Sequence, residues 1–185
     1  MTRTRRRALA WLGAALTAIA VFVIAGLPLY VFPAPSDPHR ADVVQVLGPA
    51  TDERVDAALR LIDDGLASAL LVSVAAPGEP ASDLELCDRE FVTCATPDPY
   101  TTDGETLLLE EYALSHDVHS AVVLTATGHV SRARFVYAKC YPGAATVVGV
   151  STPSSLLDWA GVYVYQTAAF VKALVTPCAH PHDAR

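Results

Sequence analysis

The stretch VVLTATGHVSRARF, residues 122–135, decides the fold. An apolar strand (121–126) breaks at Gly128 and passes directly into a helical segment carrying His129, Arg132 and Arg134. A strand with no polar alternation is buried on both faces, as in parallel sheets covered by helices. Charged side chains at the carboxyl end of such a strand lie where open α/β sheets bind ligands.

The same alternation runs outward from this stretch. Upstream, DVVQVL (42–47) reads as a strand closed by Gly48-Pro49. Thr51 or Asp52 can cap the helix that follows, and Val55, Ala58, Leu59 and Ile62 keep helical spacing until Gly65. LLVSV (70–74) is a second strand. Residues 75–100 show no periodicity, and a loop this long in a small domain usually covers a site or serves one. The next helix is expected from Thr101-Thr102 to about Ser115, with Thr102 and Glu105 spaced as a capping box. A helix over 129–140, a strand ATVVGV (145–150) and a final helix over 155–175 complete the series. Strand–helix alternation with apolar strands predicts a Rossmann-like, doubly wound α/β fold. Its mainly parallel sheet has four or more strands and helices on both faces.

One end of the chain is not part of that domain. Arg3, Arg5, Arg6 and Arg7 precede residues 8–32, which carry no charge. Twenty-five helical residues at about 1.5 Å each cover about 37 Å, enough for a hydrocarbon core of about 30 Å. An apolar region this long exceeds that of a cleaved signal peptide, about 7–15 residues. The arginines are expected on the cytoplasmic side and the rest outside, in a single-pass cytoplasmic-membrane protein. The implied organisation is a basic tail (1–7), an anchor (8–32), a proline-rich linker (33–40), one α/β domain (41–176) and a tail (177–185).

Cys87, Cys94, Cys140 and Cys178 all fall beyond the anchor. Four cysteines in an oxidising compartment suggest two disulfides, with three possible pairings. We favour Cys87 with Cys94, stapling one loop, and Cys140 with Cys178, tying the last helix to the body. No CxxC pair supports a metal, and His180 and His182 flank Pro181 in a tail, so no metal or other cofactor is expected. Beyond the four arginines, nine basic residues face 20 acidic ones. That balance excludes nucleic acid as a general partner and offers no broad attraction to anionic lipid.

Candidate chemistry gathers at the predicted strand ends: GPATDER (48–54), the end of the second strand, PDPYTTDGE (97–105) and TATGHVSRAR (125–134). Helix N-termini there favour an anion, and Arg54 and Arg132 can add bidentate contacts to phosphate or carboxylate. His129, three residues before Arg132 and on the same helical face, can give or take a proton. The plainer readings are that Arg54 pairs with Asp42 or Glu53, that Thr102 and Glu105 only cap a helix, and that Arg134 is solvated. No GxGxxG, GxSxG or GxxxxGK[ST] motif occurs, which removes the usual dinucleotide, serine-hydrolase and phosphate-loop readings.

The succession DVVQVLG, ERVDAALRLIDDGLASALLVS, PDPYTTDGE and VVLTATGHVSRARF resembles the YdcF-like family, which includes the SanA and ElyC types of envelope protein. The resemblance covers roughly residues 41–150, and its most specific part is the last stretch. It implies a Rossmann-like fold, often a single N-terminal anchor, and a role in cell-envelope maintenance with no general reaction. By position, it implies site residues Gly48, Arg54, Ser73, Thr102, Glu105, His129 and Arg132. Two positions depart from the family pattern: Val74 and Ala75 replace glycines after Ser73, and Gly128 replaces an aromatic residue before His129.

The expected function is therefore that of a membrane-anchored envelope protein binding a small anionic ligand, phosphorylated or lipid-linked. Transfer or hydrolysis would use His129 and Glu105 as catalytic groups, with Gly48, Arg54, Ser73, Thr102 and Arg132 binding. The alternative is a non-catalytic envelope scaffold that keeps the fold.

Overall fold

A computed structural model describes residues 3–76, 78, 84–152 and 155–179. The chain begins with helix α1 (Arg3–Gly26), prolonged by a single π-helical turn over Leu27–Val31. Together they form a 29-residue element whose apolar stretch has a mean hydropathy of 2.3, long and apolar enough to cross a membrane. The domain that follows runs β1 (Val43–Val46), α2 (Asp52–Asp63), β2 (Ala69–Ser73), β3 (Val92–Ala95) and α3 (Thr102–His116). It continues with β4 (Ser120–Ala126), α4 (Val130–Cys140), β5 (Ala144–Val150) and α5 (Leu156–Val175).

The five strands form one all-parallel sheet in the order β3-β2-β1-β4-β5. Odd and even residues of the central strands feed opposite faces. Val43, Leu47, Leu71, Val123 and Val147 pack with Leu109 and Tyr112 of α3 and with Ala133 and Tyr137 of α4. Val44, Val46, Leu70, Val72, Val122 and Leu124 pack with Ala58 of α2. Helices therefore cover both faces, which is why these strands carry almost no polar residue.

Ser73 and Thr125 are buried at strand ends, and Gln45 is fully buried in mid-strand on the α3–α4 face. Its Nε2 donates to the Glu105 carbonyl at 2.9 Å, and its Oε1 accepts from Tyr137 Oη at 2.6 Å. The large majority of buried polar groups are partnered in this way. Tyr137→Phe is expected to leave Gln45 Oε1 unpaired and lower stability by about 1–2 kcal/mol. Thermal melts in detergent would register the loss as a lower Tm.

Two sequence expectations need correction here. Residues 75–100 are not all loop: they include a 3-10 turn (Glu85–Asp88) and the edge strand β3, bonded to β2 from Leu70↔Val92 to Ser73↔Ala95. Arg134 is not solvated. Its guanidinium donates to the Ala34 carbonyl at 2.7 Å, Ser36 Oγ at 2.6 Å and the Val147 carbonyl at 3.2 Å. The linker is thereby tied to α4 and β5, and Ser131 Oγ holds the Leu29 carbonyl at 2.7 Å. The domain sits directly against the end of the apolar helix. Cys87 is bonded to Cys94 and Cys140 to Cys178. His180 and His182 lie outside the described residues.

Candidate functional site

Strand order reverses between β1 and β4: β2 and β3 are added on one side of β1, β5 on the far side of β4. At such a switch the loops leaving the two strands diverge and open a crevice beyond their carboxyl ends. A cavity of about 570 Å³ lies there. Gly48 and Pro49 after β1, Thr125 and Ala126 at the end of β4, His129 just beyond it, the start of α3, the loop Pro97–Tyr100 and one side of α5 enclose it.

The first turn of α3 sets the orientation of two site residues. Thr101, not Thr102, is the N-cap, and its side chain accepts from the Gly104 N–H at 3.2 Å. This corrects the capping box expected from Thr102 and Glu105. With Thr101 closing the helix, Thr102 Oγ1 is available to His129 Nε2 at 3.2 Å and accepts from Arg132 Nη1 at 3.0 Å. Glu105 reaches across to β1, where its Oε1 accepts from the Gly48 N–H at 2.7 Å. A Cβ at Gly48 would lie 2.9 Å from Tyr100 Oη, the end of an exposed side chain that can give way, and 3.6 Å from Glu105 Oε1, an ordinary contact.

His129 is buried with both ring nitrogens engaged, Nδ1 by Thr125 Oγ1 at 2.8 Å and Nε2 by Thr102. Burial, then the nearby Arg132 and Arg54 charges, push its pKa down to about 3, so the imidazole is neutral at physiological pH. Glu105 moves the other way. Burial raises its pKa to about 7 against the Gly48 N–H, Ser73 and the two guanidinium groups, all of which favour the carboxylate. Ser73 is fully buried and lies behind Glu105 rather than on the cavity wall. Its Oγ has no closely aligned hydrogen-bond partner among the described residues, yet it lies near enough to Glu105 for its hydroxyl to favour the carboxylate.

Arg54 pairs with neither Asp42 nor Glu53. Asp42 instead accepts from the N–H groups of His119 and Ser120 and from Ser120 Oγ. Arg54 is 6% exposed, with Nη1 donating to the Leu47 carbonyl at 2.8 Å and Nε to Thr51 Oγ1 at 3.3 Å. Half-buried Arg132 donates from Nε to Gln166 Oε1 at 2.8 Å, and its guanidinium lies 5.9 Å from the centre of the Tyr165 ring. Desolvation lowers the pKa of both arginines. Among the described residues, neither Nη2 makes a hydrogen bond and no carboxylate lies within ion-pair distance of either guanidinium. Charges taken out of water are ordinarily paired. Here the two arginines line one cavity together with Lys172 and Asp103, and the buried Glu105 carboxyl beside them is half protonated near neutrality.

Gly48, Arg54, Thr102, Glu105, His129 and Arg132 thus converge on one cavity, with Ser73 behind them. Sequence reasoning missed Thr125, Tyr100, Tyr165 and Gln166. Gln166 carried a usable signal, as the only amide in a mainly apolar final helix. Gly128 stands where α5 crosses the end of β4: a Cβ there would lie 2.7 Å from Val162 Cγ1 and 3.7 Å from Trp159 Cζ3. Space for an aromatic residue at that position is taken by α5. The one cluster of potential metal-ligating side chains among the described residues is Asp103 with Cys140 and Cys178, and those two sulfurs are bonded to each other. No protein-family model, curated protein or solved structure matches this chain.

Proposed function

We propose that this is a membrane-anchored, extracytoplasmic envelope protein of YdcF-like type whose cavity binds a small anion, a phosphate group carried free or on a lipid. The observation that carries the reading is the pair of guanidinium groups, Arg54 and Arg132, desolvated on one cavity and without an ion-pair partner among the described residues. Phosphate oxygens fit the open sides of both, since guanidinium forks match phosphate geometry. The N-terminal turn of α3 adds a favourable dipole. The arginine-flanked apolar helix supports an inside amino terminus, and two disulfides support an oxidising location for the domain.

Groups for chemistry at phosphorus stand in the same cavity. Glu105, titrating near pH 7, suits a general acid–base. Neutral His129 is placed to accept the Thr102 proton, and an anion between the arginines would raise its basicity by offsetting their charge. Binding without turnover is the second reading. It is favoured by the engagement of both His129 nitrogens with threonine hydroxyls, which occupies the imidazole structurally.

Binding is tested with full-length protein in detergent against inorganic phosphate, a short-chain polyprenyl phosphate and the matching neutral prenol. The reading requires both phosphate probes, or the lipid-borne one alone, to bind while the prenol does not. Equal binding of prenol and its phosphate, or no binding of either phosphate, rejects it. Release of inorganic phosphate from the lipid probe separates turnover from binding alone.

A further inference from the structure

Helix α5 has two apolar sides, and the domain covers only one. Trp159, Val162, Tyr163, Gln166, Phe170 and Ala173 face the body of the protein and are buried or half-buried. Leu157, Ala160, Gly161, Val164, Ala168, Val171 and Val175 follow the same helical spacing on the opposite side. All are exposed, including Leu157 at 84% and Val164 at 69%, and none is polar. The only charged residues of the helix are Asp158, spent in a capping box with Ser155, and Lys172 on the cavity side. A bare apolar stripe along a 20-residue helix marks a contact surface.

What lies beside that helix identifies the contact. Tyr163 Oη donates to the Val23 carbonyl of α1 at 2.9 Å, and its ring packs edge-on against Phe22 at 5.9 Å and Tyr30 at 5.0 Å. Tyr30 Oη and Thr167 Oγ1 are 2.9 Å apart. Gly26 lies so close to the Tyr163 ring that a Cβ there would collide with it. Phe22, Val23 and Gly26 belong to the uncharged segment that is long enough to span a membrane. The middle of α5 therefore sits level with the last turns of that segment. Phe22, Tyr30 and Tyr163 pack together there, and Phe32, Trp159 and Tyr165 are close to them in sequence, an aromatic composition suited to a membrane–water boundary.

We propose that α5 is a second membrane-contacting element, lying along the leaflet from which α1 emerges with Leu157, Val164, Val171 and Val175 in lipid. This goes beyond the anion-binding reading and rests only on α1 spanning the bilayer. It has one consequence for the cavity. Tyr165, Gln166 and Ala169 of α5 form part of the cavity wall, so that wall stands in the headgroup layer and an anion borne by a lipid reaches Arg132 without leaving the membrane.

The test uses full-length protein in phosphatidylcholine–phosphatidylglycerol vesicles. The chain has two tryptophans, Trp11 and Trp159, and Trp11→Phe with Trp159→Phe gives a silent background. In it, Val164→Trp is expected to lose most of its emission to lipids brominated in the acyl chain and to resist aqueous acrylamide. Leu114→Trp, exposed near the carboxyl end of α3 just before β4 begins, is expected to behave in the reverse manner. Wild-type protein exposed to a diazirine-bearing phosphatidylcholine is expected to carry lipid adducts within α5, a measurement free of any folding defect. Acrylamide quenching at Val164→Trp with no adducts on α5 overturns the proposal. Shielding from both quenchers together with a doubled mass in detergent assigns the face to a second copy and overturns it too. Phosphate affinity measured in detergent is unaffected by either outcome, so a failure here is distinct from a failure of the cavity reading.

Discussion

Replacing Arg132 by alanine is expected to weaken binding of a phosphate-bearing ligand by roughly one to two orders of magnitude, since charge-assisted hydrogen bonds contribute about 1.5–3 kcal/mol each. Two of its nitrogens are committed to Gln166 and Thr102, leaving Nη2 for the ligand. Those commitments fix the plane of the guanidinium, so the loss includes orientation as well as charge. Arg132→Lys is expected to recover part of the affinity, because an ammonium restores the charge without the planar fork. Arg60→Ala, on the exposed side of α2, removes the same charge from the protein and should leave affinity intact. Calorimetric titration of the three variants separates a local contact from a general field effect. Equal affinity of wild type and Arg132→Ala would remove the basis of the account.

The second large effect belongs to Glu105. Below pH 4.5 the carboxyl is protonated in both the folded and the unfolded chain and costs nothing. Between pH 4.5 and about 7 the unfolded chain gives up this proton while the folded protein keeps it, so stability falls as pH rises. Above about pH 7 both are ionised and the penalty is constant, on the order of 3 kcal/mol for a shift of this size. Glu105→Gln removes that penalty and retains an acceptor for the Gly48 N–H. It is expected to match wild type at pH 4 and exceed it at pH 8. His129 works in the opposite sense. Its depressed pKa makes stability fall as pH drops from 6.5 towards 3. The two slopes oppose one another between pH 4.5 and 6.5, where wild type should be nearly flat and Glu105→Gln should rise with pH. Melting temperatures across the range decide the matter.

Ionised Glu105 also adds a negative charge to a cavity that receives an anion. Relative to Glu105→Gln, wild-type affinity for phosphate should therefore decline as pH rises through about 7, because the second ionisation of the ligand (pKa about 6) affects both proteins alike and cancels in the ratio.

The parts of this architecture written in local sequence were legible in it. Continuous apolar runs identify β1, β2, β4 and β5, because strands packed under helices carry few polar residues. Strand β3 escaped because Val92–Ala95 is a short edge strand whose last three residues are only half-buried, so neither alternation nor continuous hydrophobicity marks it. In TTDGE, two threonines compete for one cap. Choosing Thr102 gives a plausible box with Glu105, whereas Thr101 leaves both residues for the cavity. Spacing alone does not distinguish them. The bonds of Arg132 to Gln166 and of Tyr137 to Gln45 join residues 34 and 92 positions apart and have no local signature. Arg134 was misread for the same reason, since its partners lie in the linker 98 and 100 residues earlier.

The central claim, that Arg54 and Arg132 jointly receive an anion, is tested most directly by diffraction from crystals soaked in tungstate, a phosphate mimic with a strong anomalous signal. An anomalous peak within hydrogen-bonding reach of both guanidinium groups, displaced by inorganic phosphate, is expected. Tungstate bound elsewhere on the protein with none between these two arginines would contradict it.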